Sequence, residues 1–323
     1  PDERRANANG LVGTVQGIAF IVTSVLSGLS VGLLGMRGTL VIALSLTAAS
    51  LVHLLTVRFP EDRVAAAPAA STRDAIDLRG SIRVVRAATG LFALIIFSTF
   101  NNLIGGVYMA LMDPYGLEMF SVQVWGLVFA LASTGFIVGG AAVAKFGLGR
   151  NPMRTMLVLV AVMGLLGSVF TIREWAALYV AGIFAYLSLV PAVEAAEQTV
   201  IQRVVPFERQ GRVFGFAMAF ETAAAPITAF VIAPIAELWI IPWSRSDAGR
   251  ASLQPLLGEG ETRGIALIFL VAGLIMVAAA LLAFRTPVYR QMSRTYRAAA
   301  PDAAPSPDAA PSPDAAPSPD AGA

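Results

Sequence analysis

Residues 264–284 read GIALIFLVAGLIMVAAALLAF, a run of 21 residues without a single charged side chain. An α-helix needs about 20 such residues to cross the hydrocarbon core of a bilayer. The run is twice as long as the tilted strand of a membrane β-barrel. It therefore predicts a transmembrane helix.

Seven further apolar blocks precede this run. They occupy residues 11–35, 39–57, 91–112, 122–144, 155–172, 175–193 and 213–240. Helices satisfy their own backbone hydrogen bonds in lipid, so we expect each block to be a helix. The sequence thus predicts an all-α integral membrane protein with eight transmembrane helices, embedded in a lipid bilayer.

The composition excludes several other classes of protein. Of the 323 residues, 56% are hydrophobic and 14% are charged, and the chain has no Cys. A soluble domain carries about 25% charged residues. The formal net charge is only +2, and the Arg residues are scattered among apolar blocks, so no basic face for a nucleic acid is predicted.

The distribution of cations predicts the orientation in the membrane. When alternate loops are assigned to the same side, 18 of the 23 Lys and Arg residues fall on the side that also holds both termini. The positive-inside rule then places both termini in the cytoplasm and the chain in the plasma membrane. All four Trp residues fall at the opposite, outer ends of the blocks, where indoles favour the interface.

The blocks divide the chain into four regions. Residues 1–57 contain two helices, 58–90 form a long cytoplasmic linker, and 91–285 contain six helices. Residues 286–323 are expected to be a disordered cytoplasmic tail, since 301–318 consist of three PDAAPS repeats. Six helices after a long central loop are typical of one half of a twelve-helix transporter.

Acidic side chains inside a bilayer are candidates for function because they are costly there. Glu221 lies roughly 12 Å into its block and is surrounded by small residues. It is a candidate for proton coupling, with a structural hydrogen bond as the equal alternative. Glu194 and Glu197 lie one helical turn apart, about 28 Å along a block that begins outside. This favours a solvated helix end or a salt bridge with Arg203 over a place in a substrate cavity.

Other polar residues in the blocks are weaker candidates for lining a substrate cavity. Asn101 and Asn102 lie roughly 15 Å into their block. Gln16 is a further polar candidate, and Tyr108 an aromatic one for which packing in the core is the main alternative. Small residues four apart, such as Gly13 and Gly17, predict that helices approach closely. The other such pairs are Gly28 with Gly32 and Gly135 with Gly139.

The inventory of reactive side chains argues against an enzyme. The chain has one His, no Cys, no G-x-S-x-G nucleophile motif and no P-loop. We therefore expect no metal site and no cofactor.

One loop resembles a known family. Residues 202–215 read QRVVPFERQGRVFG, and Pro206, Gly211, Arg212 and Gly215 stand at fixed positions of a pattern, roughly Q-x-x-V-P-x-x-x-x-G-R-V-F. This resembles the penultimate cytoplasmic loop of major facilitator superfamily exporters, within the macrolide-efflux and siderophore-exporter-like group of drug antiporters. Gly147, with Gly149 and Arg150, resembles the loop motif after the eighth helix of that superfamily.

The resemblance implies that the eight blocks are helices five to twelve of twelve. It implies a secondary transporter that exports lipophilic or cationic small molecules by alternating access in exchange for protons. Asn101, Asn102 and the region of Pro191 would lie on cavity-lining helices. Without the first four helices the chain is expected to be an incomplete transporter. A non-transporting membrane scaffold or regulatory subunit stays open as the alternative, and no oligomeric state is predicted.

Overall fold

The structure, a computed structural model, describes residues 2–57 and 90–298. Within these ranges the chain is helical and contains no strand, so the predicted all-α fold is confirmed. The helices are α1 Asp2–Thr56, α2 Leu91–Met119, α3 Val122–Phe146, α4 Pro152–Val169, α5 Ala176–Val204, α6 Phe207–Ile235, α7 Ile241–Arg245, α8 Asp247–Leu257, α9 Arg263–Arg285 and α10 Pro287–Ala298. A π-helical turn, Ala236–Ile240, joins α6 to α7. The predicted linker, up to residue 89, and the PDAAPS repeats lie outside the described residues.

Among the described residues, seven helices are long and apolar enough to cross a membrane, where the sequence predicted eight. The difference lies in α1, whose apolar part, Leu11–Thr56, is 46 residues long. A straight helix of that length would extend about 69 Å, twice the thickness of a hydrocarbon core. Gly35 interrupts α1 with φ 68° and ψ 176°, at the predicted end of the first block. Each segment beside the break has about 20 residues, enough to span.

Small residues set the closest helix contacts, as the glycine spacing predicted. α1 packs along α3 and also touches α5. A Cβ atom built on Gly13 would lie 2.5 Å from Cβ of Pro191, and one on Gly17 would lie 2.7 Å from Cβ of Phe136. Gly28 meets Gly126 of α3 backbone to backbone. These positions exclude any larger side chain without a shift of the helices.

An aromatic cluster fills the core where α2, α4, α5 and α9 meet. Tyr108 stacks on Phe269 with ring centroids 5.0 Å apart and lies 5.1 Å from Tyr186. The rings of Phe170 and Tyr179 complete the cluster. All five side chains are buried, so these four helices form one packed body.

Local sequence signals fix the turn between α3 and α4. Gly147 and Gly149 have φ values of 68° and 72°, which a residue with a Cβ rarely adopts. Asn151 then caps α4 by accepting a hydrogen bond from the backbone N–H of Arg154, and Pro152 occupies the first helical turn. Both glycines of the predicted loop motif are therefore required by the backbone conformation.

The C-terminal region differs from the prediction at its start. Residues 286–323 were expected to be disordered, yet Pro287–Ala298 form α10. Met292 and Tyr296, four residues apart, are buried against the bundle, and Asn151 Nδ2 donates to Ser293 Oγ at 3.2 Å. The repeats, which suggested disorder, begin only at residue 301, and the apolar spacing before them is that of an amphipathic helix.

Candidate functional site

Two glutamate side chains from different helices meet inside the bundle. Glu197 of α5 and Glu221 of α6 are close neighbours that interact electrostatically, and Ser98 of α2 lies beside Glu197. Oε1 of each glutamate is buried and has no hydrogen-bond partner among the described residues. Glu197 is only 8% exposed. Glu194, one turn away on α5, lies within electrostatic range of both. Side chains from three helices therefore meet at one place. We call its two main members, Glu197 and Glu221, the carboxyl pair.

The burial of Glu197 corrects the expectation that it lies at a solvated helix end. That expectation measured depth from the outer end of its block, but α5 has 29 residues and is about 43 Å long, more than the core thickness. Measured from its other end at Val204, Glu197 lies about 10 Å inside. Glu221 is about 12 Å inside when counted from residue 213, so the two depths agree. The Arg203 guanidinium instead stacks on Tyr296, 4.3 Å from the ring centroid.

The two asparagines on α2 differ in their contacts. Asn102 Nδ2 donates to the backbone oxygen of Ser98 at 3.0 Å, a bond within its own helix. Oδ1 of Asn101 is buried and accepts no hydrogen bond from the described residues. Asn101 is three residues from Ser98 and shares its helix face. Of the two, Asn101 is therefore the one left with capacity for a ligand.

The remaining cavity candidates lie apart from the carboxyl pair. Gln16 is half-buried on α1, and within the described part of the chain no hydrogen bond joins it to either glutamate. α1 nevertheless approaches the region, because Asn9 Nδ2 contacts Thr199 Oγ1 at 3.3 Å. Tyr108 has no exposed surface, and its hydroxyl donates to the backbone oxygen of Phe269 at 3.0 Å. It is a core residue rather than a cavity residue, since all of its edges are in packing contact.

Comparison with known proteins identifies the family. The sequence model of the Major Facilitator Superfamily matches residues 1–229. The chain belongs to the major facilitator superfamily. No curated protein and no solved structure matches it. The superfamily consists of transporters, and the matched region of this member contains the carboxyl pair.

The loop motif of this superfamily member forms the turn from α5 to α6. Pro206 precedes the first residue of α6, and Gln210 Nε2 closes the turn by donating to the backbone oxygens of Gln202 and Val205 at 2.8 and 3.0 Å. Gly211, Arg212 and Gly215 are exposed on the first turns of α6. A Cβ on either glycine would meet no atom within 4 Å, so packing among the described residues does not require them.

One acidic residue escaped the sequence analysis. Asp113 lies in α2 beyond the apolar block, which was drawn to end at residue 112, but the helix continues through Pro114 to Met119. Oδ1 of Asp113 accepts a hydrogen bond from Nε1 of Trp125 at 2.7 Å. Trp125 is buried, whereas Trp175, Trp239 and Trp243 are exposed. The apolar block was ended at residue 112, before this first charge, although the helix extends seven residues beyond the block.

A second polar network, also not predicted, joins α9 to the ends of neighbouring helices. Arg263, counted from the sequence as a loop cation, is the first residue of α9 and is 3% exposed. Its guanidinium donates to the backbone oxygens of Thr171 and Leu257 and to the hydroxyl of Tyr115. It also forms an ion pair with Glu174, N to O 3.4 Å. These partners on separate elements indicate a structural role, although Nε of Arg263 is buried without a hydrogen-bond partner among the described residues.

Among the described residues, no group of three or more His, Cys, Asp or Glu side chains is arranged to hold a metal ion.

Proposed function

We propose that this superfamily member is a proton-coupled exporter of lipophilic or cationic small molecules, of the macrolide-efflux and siderophore-exporter-like group. We further propose that it lies in the plasma membrane with both termini in the cytoplasm, and that α1 belongs to the N-terminal half of the transporter while residues 91–285 form the C-terminal half. The single observation that supports proton coupling is the carboxyl pair.

A hydrogen bond between two carboxyl groups contains a proton, because two carboxylates have no donor between them. Ionising both groups at this separation places two like charges in a buried site, which is strongly unfavourable. A proton shared by the pair is therefore favoured while the two side chains stay close. Releasing that proton requires the two side chains to separate or water to reach them.

The packing of α6 gives this proton a link to conformation. α6 lies along α2 over much of its length but touches α5 only lightly. A small movement of α6 and α2 relative to α5 would separate Glu221 from Glu197 while leaving both helices intact. Proton affinity then differs between the two arrangements, which is the requirement for coupling a proton gradient to alternating access.

The substrate class and the direction of transport are supported by different features. The 18 cations on the side of the termini favour a cytoplasmic location for the α5–α6 turn. The carboxyl pair then lies nearer the cytoplasmic face, where an exporter takes up its substrate. The membrane-spanning helices offer mostly apolar side chains to any cavity, with a few acidic groups, and such a surface favours lipophilic cations.

The test is transport of ethidium in everted membrane vesicles from cells that produce the complete transporter. We expect uptake that requires an imposed inward-acidic proton gradient and that collapses when the gradient is dissipated. Glu221→Gln should abolish the dependence on the gradient, since an amide cannot release a proton, while the protein level stays unchanged. Glu237→Gln, an exposed acid of the same span, is the matched control and should behave as the wild type.

Wild-type uptake without any response to the gradient would remove proton coupling from the proposal. A gradient-dependent Glu221→Gln protein would assign the carboxyl pair a structural role. No uptake by a well-folded wild-type protein would favour the scaffold alternative.

A further inference from the structure

A cavity of about 540 Å³ lies between α1, α2 and α3, apart from the carboxyl pair. Its volume is within the range of small-molecule sites in proteins. The wall is formed by aromatic, thioether, aliphatic and hydroxyl side chains together with one carboxylate. Its main members are Phe20, Met109, Met112, Asp113, Trp125 and Phe129.

Asp113 brings a carboxylate to the cavity wall near one end of α2. It lies six residues before the end of α2, about 9 Å inside the helix, and it is exposed. Its one hydrogen-bond donor is the Trp125 indole, and within the described residues no Lys or Arg lies at ion-pair distance from it. A carboxylate near the end of a membrane span attracts a partner of opposite charge. The cavity therefore presents one uncompensated negative charge.

The rest of the wall suits an organic cation. The faces of aromatic rings attract cations, and Phe20 and Phe129 line the cavity together with Trp125, whose own faces are covered by Phe120 and Tyr179. Methionine side chains adapt to the shape of varied apolar ligands. A lone carboxylate does not supply the six or more oxygen ligands that hard divalent cations take.

We propose that this cavity binds an organic cation with an apolar body, with Asp113 as the charge partner. This inference deepens the proposed function, on which it rests, by assigning the substrate class to a site between α1, α2 and α3. An anion of the same shape is repelled by Asp113, and a neutral molecule gains nothing from it. Charge selectivity is therefore the property to measure.

The experiment measures binding to the full 323-residue chain in detergent, with no proton gradient. The probes are tetraphenylphosphonium and tetraphenylborate, which have the same shape and opposite charge. Trp175, Trp239 and Trp243 are replaced by Phe, so that Trp125 reports binding by fluorescence quenching; all three are exposed, so these changes leave the core intact. The effect of Asp113→Asn is then compared between the two probes, which cancels their partition into detergent.

Asp113→Asn keeps an oxygen acceptor for the Trp125 indole and removes only the charge. We expect it to weaken tetraphenylphosphonium binding about tenfold or more, and to leave tetraphenylborate binding equal or stronger. Asp113→Glu, which keeps the charge, should retain most of the affinity. Glu118→Gln, an exposed acid on the same helix outside the cavity wall, should change neither probe.

Equal binding of both probes to the wild type would overturn the proposal without reference to any variant. So would an Asp113→Asn protein that binds tetraphenylphosphonium as the wild type does, or a Glu118→Gln protein that loses binding to the same extent. Failure of the proposed function is distinguishable. If Asp113→Asn loses charge-selective binding while the vesicles show no gradient-driven transport, the binding site is supported. The proposal of proton-coupled transport is then wrong.

Discussion

Glu197 of α5 and Glu221 of α6 are close neighbours across a helix interface that is otherwise lightly packed. Ser98 of α2 lies beside Glu197, so the cluster includes side chains from three helices. Removing one partner of a buried polar contact costs several kcal/mol of stability, because the other partner is left buried and unpaired. Replacing both partners by apolar groups changes the stability little. The carboxyl pair therefore makes the α5–α6 separation sensitive to protonation.

The chemistry of the pair predicts different stabilities for two substitutions of Glu221. Glu221→Gln keeps a hydrogen-bond donor toward Glu197 and should leave the thermal midpoint of the protein in detergent within a few degrees of the wild type. Glu221→Leu leaves Glu197 buried without its partner and should destabilise by about 2–4 kcal/mol. Thermal unfolding followed by near-UV circular dichroism measures both. Equal thermal midpoints for the two variants would contradict an interaction between Glu197 and Glu221. Size and burial alone do not make Leu less stabilising than Gln at this position.

Close helix approach at Gly139 predicts a packing defect. A Cβ at Gly139 of α3 would strike the backbone carbonyl of Ser188 on α5. Gly139→Ala should cost about 1–3 kcal/mol, because backbone atoms cannot move aside as a side chain does. The matched control is Gly105→Ala in α2, where an added Cβ meets no atom within 4 Å. There the gain in helix propensity should stabilise the protein by up to about 1 kcal/mol. The thermal midpoint should therefore fall in Gly139→Ala and rise in Gly105→Ala.

The core position of Tyr108 predicts an effect on stability without an effect on substrate. Tyr108→Phe removes the hydroxyl that donates to Phe269 and leaves a buried carbonyl without that donor. We expect a loss of about 1 kcal/mol in stability and an unchanged KM for ethidium uptake. A raised KM with unchanged stability would return Tyr108 to the cavity, as the sequence had allowed.

The helices and their contacts were predictable because they depend on local signals. Apolar runs located the spans, and glycines four residues apart located the interfaces at Gly13, Gly17 and Gly28. Gly35 marks the boundary between the first two blocks in both the sequence and the structure. The close contacts follow because a residue without a side chain leaves room for a neighbouring helix whatever that neighbour is.

The polar sites were not predictable in the same way, because they depend on which helices meet. Glu197 and Glu221 are 24 residues apart in sequence, and their pairing follows from the antiparallel course of α5 and α6. A depth measured from one end of an over-long helix placed Glu197 in solvent. Asp113 was missed because a block defined by hydropathy ends at the first charged residue. The helix itself continues for as long as its backbone hydrogen bonds do.

The last prediction concerns Arg263, whose guanidinium joins α9 to the ends of α2, α4 and α8. Arg263→Met fills similar volume but leaves two backbone carbonyls and the Tyr115 hydroxyl without their donor. We expect a loss of about 2–4 kcal/mol in the free energy of unfolding.

Arg245→Met is the matched control, because Arg245 forms an ion pair with Glu261 at 3.0 Å in which both side chains are about half exposed or more. Solvent screens that pair, so its loss should cost less than about 1 kcal/mol. Thermal midpoints of the two variants at low and high salt separate the cases: the Arg245 effect should vanish in salt, while the Arg263 effect should persist because its partners are buried. A salt-sensitive Arg263 effect would mean that the network is open to solvent and does not hold the outer ends of these helices together.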